Sequence, residues 1–338
     1  MTFRFLLALL LCWPLWVAAE ESSESQGPDT EEAATADQAE DLRSRISEYQ
    51  LLLRETLVEY SQLVRDYEFE YQETSLERRL NQERQLAANP FSFTPHRRNY
   101  ILPASYSSNP NQERFEYIQE NTDLDPVEIK FQLSVKVPLM EDLFDNRGSI
   151  HFAYTQTSWW QAYNNDASKP FRETNYTPEI FFTYANGTRF LGLNNNWNRF
   201  GYAHQSNGRT EPQSRSWNYL YVSSVLSRGN WMLEATPRIK LPRFRGEDDN
   251  PDLEDYIGYL DLSLAYTRSR HEYVLTLKGN PQTEKAGAQL DWSFPVYGRL
   301  RGLIQGYAGY GESLIDYDHE NYRISIGFQF TNQLFGDY

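Results

Sequence analysis

The chain has 338 residues, a formal net charge of −15 and a mean hydropathy of −0.70, and aromatic side chains make up 15% of it. The negative balance argues against nucleic acid as a partner, and beyond the N-terminus no stretch approaches the roughly 20 apolar residues of a membrane-spanning helix. Two all-β classes remain: a secreted soluble protein, or an outer-membrane barrel whose polar lumen cancels its lipid-facing surface in the average.

Arg4 precedes a short apolar run that ends in Val17-Ala18-Ala19. This reads as a secretory signal cleaved after Ala19, since the run is short for a spanning helix. Cys12 lies inside it, so the mature chain holds no cysteine and enters an oxidising compartment without disulfides. Residues 20–41 carry nine acids and no base among Ser, Gln, Ala, Gly and Pro, and are expected to be disordered. From Leu42 the pattern changes. Leu42, Ile46, Tyr49, Leu53, Thr56, Tyr60, Leu63 and Tyr67 alternate by four and three residues, a heptad seam. Residues 42–88 are therefore expected to be helical, either as a coiled coil or as one amphipathic helix lying on the main domain or partly ordered in the periplasm. Asn89-Pro90 ends the helical region.

Near residue 126 the period becomes two. Val127, Ile129, Phe131, Leu133, Val135 and Val137 are apolar, and the residues between them are polar. Such alternation matches a transmembrane strand of roughly 9–11 residues. Similar segments follow near 149–161, 178–185, 188–204, 214–226, 230–241, 256–267, 271–279, 286–294, 299–309 and 322–331. That makes about eleven strands. Bacterial single-chain barrels have an even number, so the expectation for 89–338 is an all-β fold, a twelve-stranded antiparallel transmembrane barrel. A β-sandwich predicts the same alternation. The strands are long for one, however, and Trp159, Trp160, Trp217 and Trp231 sit at strand ends like an interfacial girdle.

In the strand near 188–204, Phe200, Tyr202, His204 and Ser206 share one phase. In the next, Asn218, Leu220 and Val222 share one. His204, Ser206 and Asn218 thus fall in phase with apolar residues, on the lipid-facing side, where polar groups are costly unless paired or at work. Together they suit acyl transfer: Ser206 attacks a carbonyl, His204 takes its proton, and Asn218 orients the imidazole. The competing class is a catalytically silent barrel, structural or pore-forming. Gln156 falls in the phase of Phe152 and Tyr154 and is also expected to face lipid, unless a bulge turns it into the lumen.

The wider motif His204-Gln205-Ser206-Asn207-Gly208-Arg209, then Pro212, then Ser214-Arg215-Ser216-Trp217-Asn218, closely resembles the active-site block of bacterial outer-membrane phospholipase A. The resemblance extends through Tyr154 to Gln161, Pro170 to Tyr176, Asp248 to Asp252 and Gly309 to Tyr317, and runs from about Asn89 to the C-terminus. It implies a twelve-stranded outer-membrane barrel that hydrolyses phospholipid acyl esters and is active as a calcium-bound homodimer, dormant as a monomer. It implies His204, Ser206 and Asn218 as the catalytic residues. It implies Ca2+ held by the backbone carbonyl of Arg209, the side chain of Ser214 and a serine of the other subunit aligned with Ser168, with Asp249 associated. It further implies that Gln156 bonds across the dimer interface. Two positions depart: Glu211 stands where the pattern has aspartate, and Gln205 where it has an acid. Residues 20–88 lie outside the resemblance.

Overall fold

The computed structural model describes residues 28–70, 93–243, 246–298 and 300–330. The chain divides into two compact units, residues 1–72 and 73–338. The signal reading of 1–19 falls outside the described residues, as do 20–27 and 71–88.

The first unit holds one helix, α1 (Pro28–Glu70). It starts at Pro28, inside the segment expected to be disordered. The reason is local. Proline is tolerated in a first helical turn because its missing N–H is an orphan there anyway. Between Pro28 and Pro90 there is no glycine or proline, and Ala, Glu and Gln are good helix formers. The apolar seam from Leu42 through Leu63 is exposed.

The second unit is a closed sheet. Its strands are β1 (Tyr100–Ser107), β2 (Val127–Asp142), β3 (Gly148–Trp160) and β4 (Phe171–Ala185). Next come β5 (Leu193–Ser206), β6 (Ser216–Arg228), β7 (Trp231–Leu241) and β8 (Leu260–Arg268). The last are β9 (His271–Asn280), β10 (Lys285–Tyr297), β11 (Leu300–Gly309) and β12 (Asn321–Gln329). Each is antiparallel to its neighbours, and β12 pairs with β1 to close the ring. Two-residue pieces at Thr94–Pro95 and Arg189–Phe190 add short pairings to β2 and β5. The twelve-strand barrel is borne out. The strand without a clean alternation is β1: it contains Pro103, and its pairing with β2 slips between Leu102 and Ser105, as a bulge does. Strand β4 begins at Phe171 rather than near 178, because Arg172, Glu173, Thr174 and Asn175 are polar in both phases.

The barrel is polar inside and apolar outside, which no water-soluble sandwich is. Leu133, Ile180, Leu264, Leu290, Ile324 and Ile326 face outward and are exposed. The lumen buries charge, and the charges are paired. Arg98 meets Glu272 and Asp291, each at 2.8 Å. Arg172 meets Glu128 at 3.0 Å, and Arg323 meets Glu128 at 2.9 Å and Glu312 at 2.8 Å. Such a network holds only while its members are satisfied, because an unpaired charge in low dielectric is costly. It leaves a cavity of about 410 Å3 within the barrel. Trp159 and Trp217 belong to this interior, at 2% and 5% exposure, and not to the girdle where their position at strand ends puts them. Lys130 and Arg172 lie over the Trp159 ring.

The two barrel ends differ. At one, β6–β7 and β8–β9 turn in two residues; Ser269 and Arg270 both take positive φ, as a tight hairpin with the strands' twist requires. At the other, residues 108–126, 161–170, 207–215, 242–259 and 310–320 form longer connections. They include α2 (Gln112–Glu116) and α3 (Leu253–Ile257). In outer-membrane barrels the long connections are extracellular.

Candidate active site

Strand β5 carries the candidate nucleophile and base at its long-loop end. Phe200 and Tyr202 are exposed, while Gly201 and Ala203 are buried. His204 and Ser206 continue the outward phase, as the alternation predicts. Antiparallel pairing sets His204 opposite Asn218 and Ser206 opposite Ser216 on β6. Directly opposed residues share a face, so the ladder brings His204 and Asn218 together. His204 Nδ1 lies 2.9 Å from Asn218 Oδ1. With Nδ1–H donating to that oxygen, Nε2 is the nitrogen free to accept a proton. Among the described residues no hydrogen bond joins Ser206 Oγ to His204; such bonds commonly tighten only when substrate is bound. The large luminal cavity is not lined by His204, Ser206 or Asn218. The trio opens on the outer surface instead.

The register carries the outward face further. Ser206 pairs with Tyr176 on β4, and Tyr176 with Gln156 on β3. Gln156 lies in the phase of exposed Phe152, so it faces out and not into the lumen. It accepts from the Tyr154 hydroxyl at 3.2 Å and donates to Ser158 Oγ at 3.2 Å. A polar row thus crosses four strands from Gln156 to Ser216 within an otherwise apolar surface.

The β5–β6 connection is shaped by Asn207, which sequence reasoning passed over. Its Oδ1 accepts from the backbone N–H of Arg209 at 3.3 Å and of Arg215 at 3.0 Å, and its Nδ2 donates to the Gln213 carbonyl at 2.9 Å. Gly208 takes φ of +67°, and a Cβ there would lie 3.2 Å from the Tyr176 ring. The Arg209 guanidinium donates to the Arg172 carbonyl at 2.7 Å and to Gln213 Oε1 at 3.1 Å, pinning the loop to β4.

Asp249 arrives from the β7–β8 connection. Its Oδ2 accepts from Ser214 Oγ at 2.8 Å and Ser216 Oγ at 3.1 Å, and its Oδ1 pairs with Arg243. Burial alone would raise its carboxyl. The hydrogen bonds from Ser214, Arg243 and Ser216 and the Arg243 charge outweigh that and hold it below the ordinary value. Next to it, Asn250 Oδ1 accepts from the Ser216 N–H at 3.1 Å. Ser214, on the loop that also holds Arg209, therefore meets Asp249 of the β7–β8 connection within hydrogen-bond distance. Hydroxyl, carboxylate and backbone carbonyl form an all-oxygen donor set, which fits a hard cation such as calcium. Arg243 now sits where a cation would compete for the carboxylate. Ser168 lies elsewhere, in the β3–β4 connection at the same barrel end. It is exposed, has φ of +51°, and among the described residues forms no hydrogen bond with Arg209, Ser214 or Asp249.

A family model described as Phospholipase A1 matches residues 76–330. The phospholipase A1 of Salmonella typhimurium is 39% identical over 241 residues, covering 71% of this chain and 81% of the relative. The crystallised Salmonella typhi outer membrane phospholipase, a dimer with bound calcium, is 37% identical with a TM-score of 0.69, covering 74% of this chain and 98% of that one. An Escherichia coli outer membrane phospholipase A, solved as an active-site mutant with asparagine changed to alanine, is similar to the same degree: 37% identity, TM-score 0.69, 74% and 98% covered. The lipid-facing Ser, His and Asn, the inverted barrel and these similarities converge: the chain belongs to the phospholipase A1 family of outer-membrane β-barrels.

Proposed function

We propose that this protein is a calcium-dependent hydrolase of phospholipid acyl esters in the outer membrane, acting through Ser206, His204 and Asn218 and activated by homodimerisation. Its substrates would include both acyl positions of phospholipids and lysophospholipids. The observation that carries this function is the His204–Asn218 bond on the outward face, beside a serine two residues away. An outward nucleophile near the membrane boundary meets lipid esters directly.

Ser206 Oγ attacks the ester carbonyl carbon while His204 Nε2 takes the hydroxyl proton. The resulting imidazolium donates through Nδ1 to Asn218 Oδ1, which orients the ring without adding charge. Collapse of the tetrahedral species breaks the bond to the lyso-lipid oxygen, and Nε2 returns its proton to that oxygen. Water, deprotonated by the same nitrogen, then releases the fatty acid and regenerates Ser206.

The residues that would hold calcium are Arg209 through its carbonyl, Ser214 through its hydroxyl, Asp249 nearby and Ser168 of the partner subunit. When bound, the ion supplies electrostatic stabilisation of charge on the carbonyl oxygen. Exposed Ser168, remote in hydrogen bonding from its own chain's Ser214, supports a site completed by a second chain, as does the calcium-bound dimer of the Salmonella typhi relative. Gln156 would bond across that interface.

The deciding assay compares wild type with Ser206→Ala in detergent micelles, with calcium or chelator. Wild type should hydrolyse only with calcium, and the variant should lose roughly a thousandfold or more. Equal hydrolysis by the two proteins would leave a silent barrel and a contaminating esterase. Activity indifferent to chelator would remove the metal.

A further inference from the structure

We infer that Tyr202 is a positioning residue of this site, its hydroxyl holding the Asn218 amide with the carbonyl oxygen toward the histidine. The inference rests on the proposed roles of Ser206, His204 and Asn218. Tyr202 stands two residues before His204 and shares its outward phase. The register places it opposite Leu220, so its ring reaches diagonally to Asn218. Its hydroxyl donates to Asn218 Oδ1 at 2.7 Å, and His204 Nδ1 meets the same oxygen at 2.9 Å. A carbonyl oxygen with two lone pairs can take both donors.

An asparagine amide is nearly symmetric in shape and opposite in chemistry at its two ends. Turned over, it offers the Nδ2 donor to the ring. His204 must then accept at Nδ1 and keep its proton on Nε2, the nitrogen that has to receive the serine proton. A carboxylate in the same place has no wrong face, so an asparagine site needs something that tells one end from the other. Tyr202 does this. A phenol's oxygen lone pairs are drawn into its ring, so its hydroxyl donates better than it accepts. This hydroxyl stands among outward Phe200, Leu220 and Val222, where water is scarce and a polar tip needs a partner. Asn218 Oδ1 is its one hydrogen-bond partner among the described residues. Satisfying the phenol therefore keeps the oxygen in place and the amide in the orientation His204 requires.

Tyr202→Phe removes the hydroxyl and keeps the ring. In calcium-loaded micelles kcat should fall roughly tenfold, the size of one hydrogen bond, with KM and thermal unfolding unchanged. In an Asn218→Ala background the same change should cost nothing further, since there is no amide left to orient. Wild-type kcat in Tyr202→Phe, beside an inactive Ser206→Ala and an impaired Asn218→Ala, overturns the Tyr202 inference alone. An equal loss in both backgrounds also overturns it, because the hydroxyl then acts elsewhere. Full activity in Ser206→Ala or Asn218→Ala sinks the proposed site and the inference with it.

Discussion

In the proposed mechanism Asn218 acts without charge, which limits what it can contribute. It can fix the tautomer and the plane of the imidazole, and it leaves the imidazolium to be stabilised by a dipole. Asn218→Ala should therefore lower kcat by about ten- to a hundredfold, the range for a hydrogen bond to a charged group. Removing the nucleophile should cost far more. Steady-state kinetics at saturating lipid separates the two, and an Asn218→Ala enzyme as inert as Ser206→Ala would contradict a purely orienting role. His204, Ser206 and Asn218 were legible because strand alternation is a local property and their neighbours Phe200, Tyr202, Leu220 and Val222 betray the phase. The Tyr202–Asn218 bond was not, because it is a diagonal contact that depends on the register of two strands.

At the scale of elements, the β5–β6 and β7–β8 connections are stapled by Asp249 and Asn250. Asp249→Asn should weaken calcium activation by about tenfold or more, as loss of a charged metal-site carboxylate does, measured as the calcium concentration for half-maximal rate. Arg243→Ala should shift that concentration the other way, because it removes the cation now paired with the carboxylate. A pH effect follows as well. The Asp249 carboxyl is held below its ordinary value of 3.8. A depressed carboxyl stabilises the folded state above the unfolded value, and that contribution fades as pH falls through the lower folded one. Amide exchange in residues 246–252 should therefore quicken, relative to the barrel strands, below about pH 4 and not between about pH 5 and 8. The oxygen donors Ser214 and Asp249 came from the resemblance, and the structure brings them together. Their link through Ser216 had no sequence signal, since Ser216 opens β6 and Asp249 follows 33 residues later; the Arg243 pair lies within one irregular connection and follows no periodic pattern.

For the whole molecule, the separation into two units predicts that a chain lacking residues 20–72 still folds as a barrel and hydrolyses lipid. Heat-modifiable gel mobility and micelle activity check this. If the α1 seam pairs two chains, that truncation should also raise the monomer–dimer dissociation constant, and an unchanged constant would leave the helix a different task. Gln156→Ala should weaken the proposed dimer too, by the roughly 1 kcal/mol of a single side-chain hydrogen bond within the membrane, read by sedimentation in detergent. The inverted barrel ties these together: its lumen is lined with paired charge, and its outer surface is left to lipid and, in the proposed dimer, to another copy.

By itself the sequence determined the period-two segments, the outward phase of the trio, an even strand number and the break between an acidic N-terminal region and a β domain. All of these are properties of neighbouring residues, and periodicity reports them directly. Tertiary structure alone decided where β1 lies, that β4 starts at Phe171, that Trp159 and Trp217 point inward, and that Tyr202 meets Asn218. The physical reason is the ladder. Closing the barrel joins β12 to β1, elements at opposite ends of the domain, and a bulge or a one-residue shift in any pairing changes which side chains meet while leaving the local pattern almost untouched.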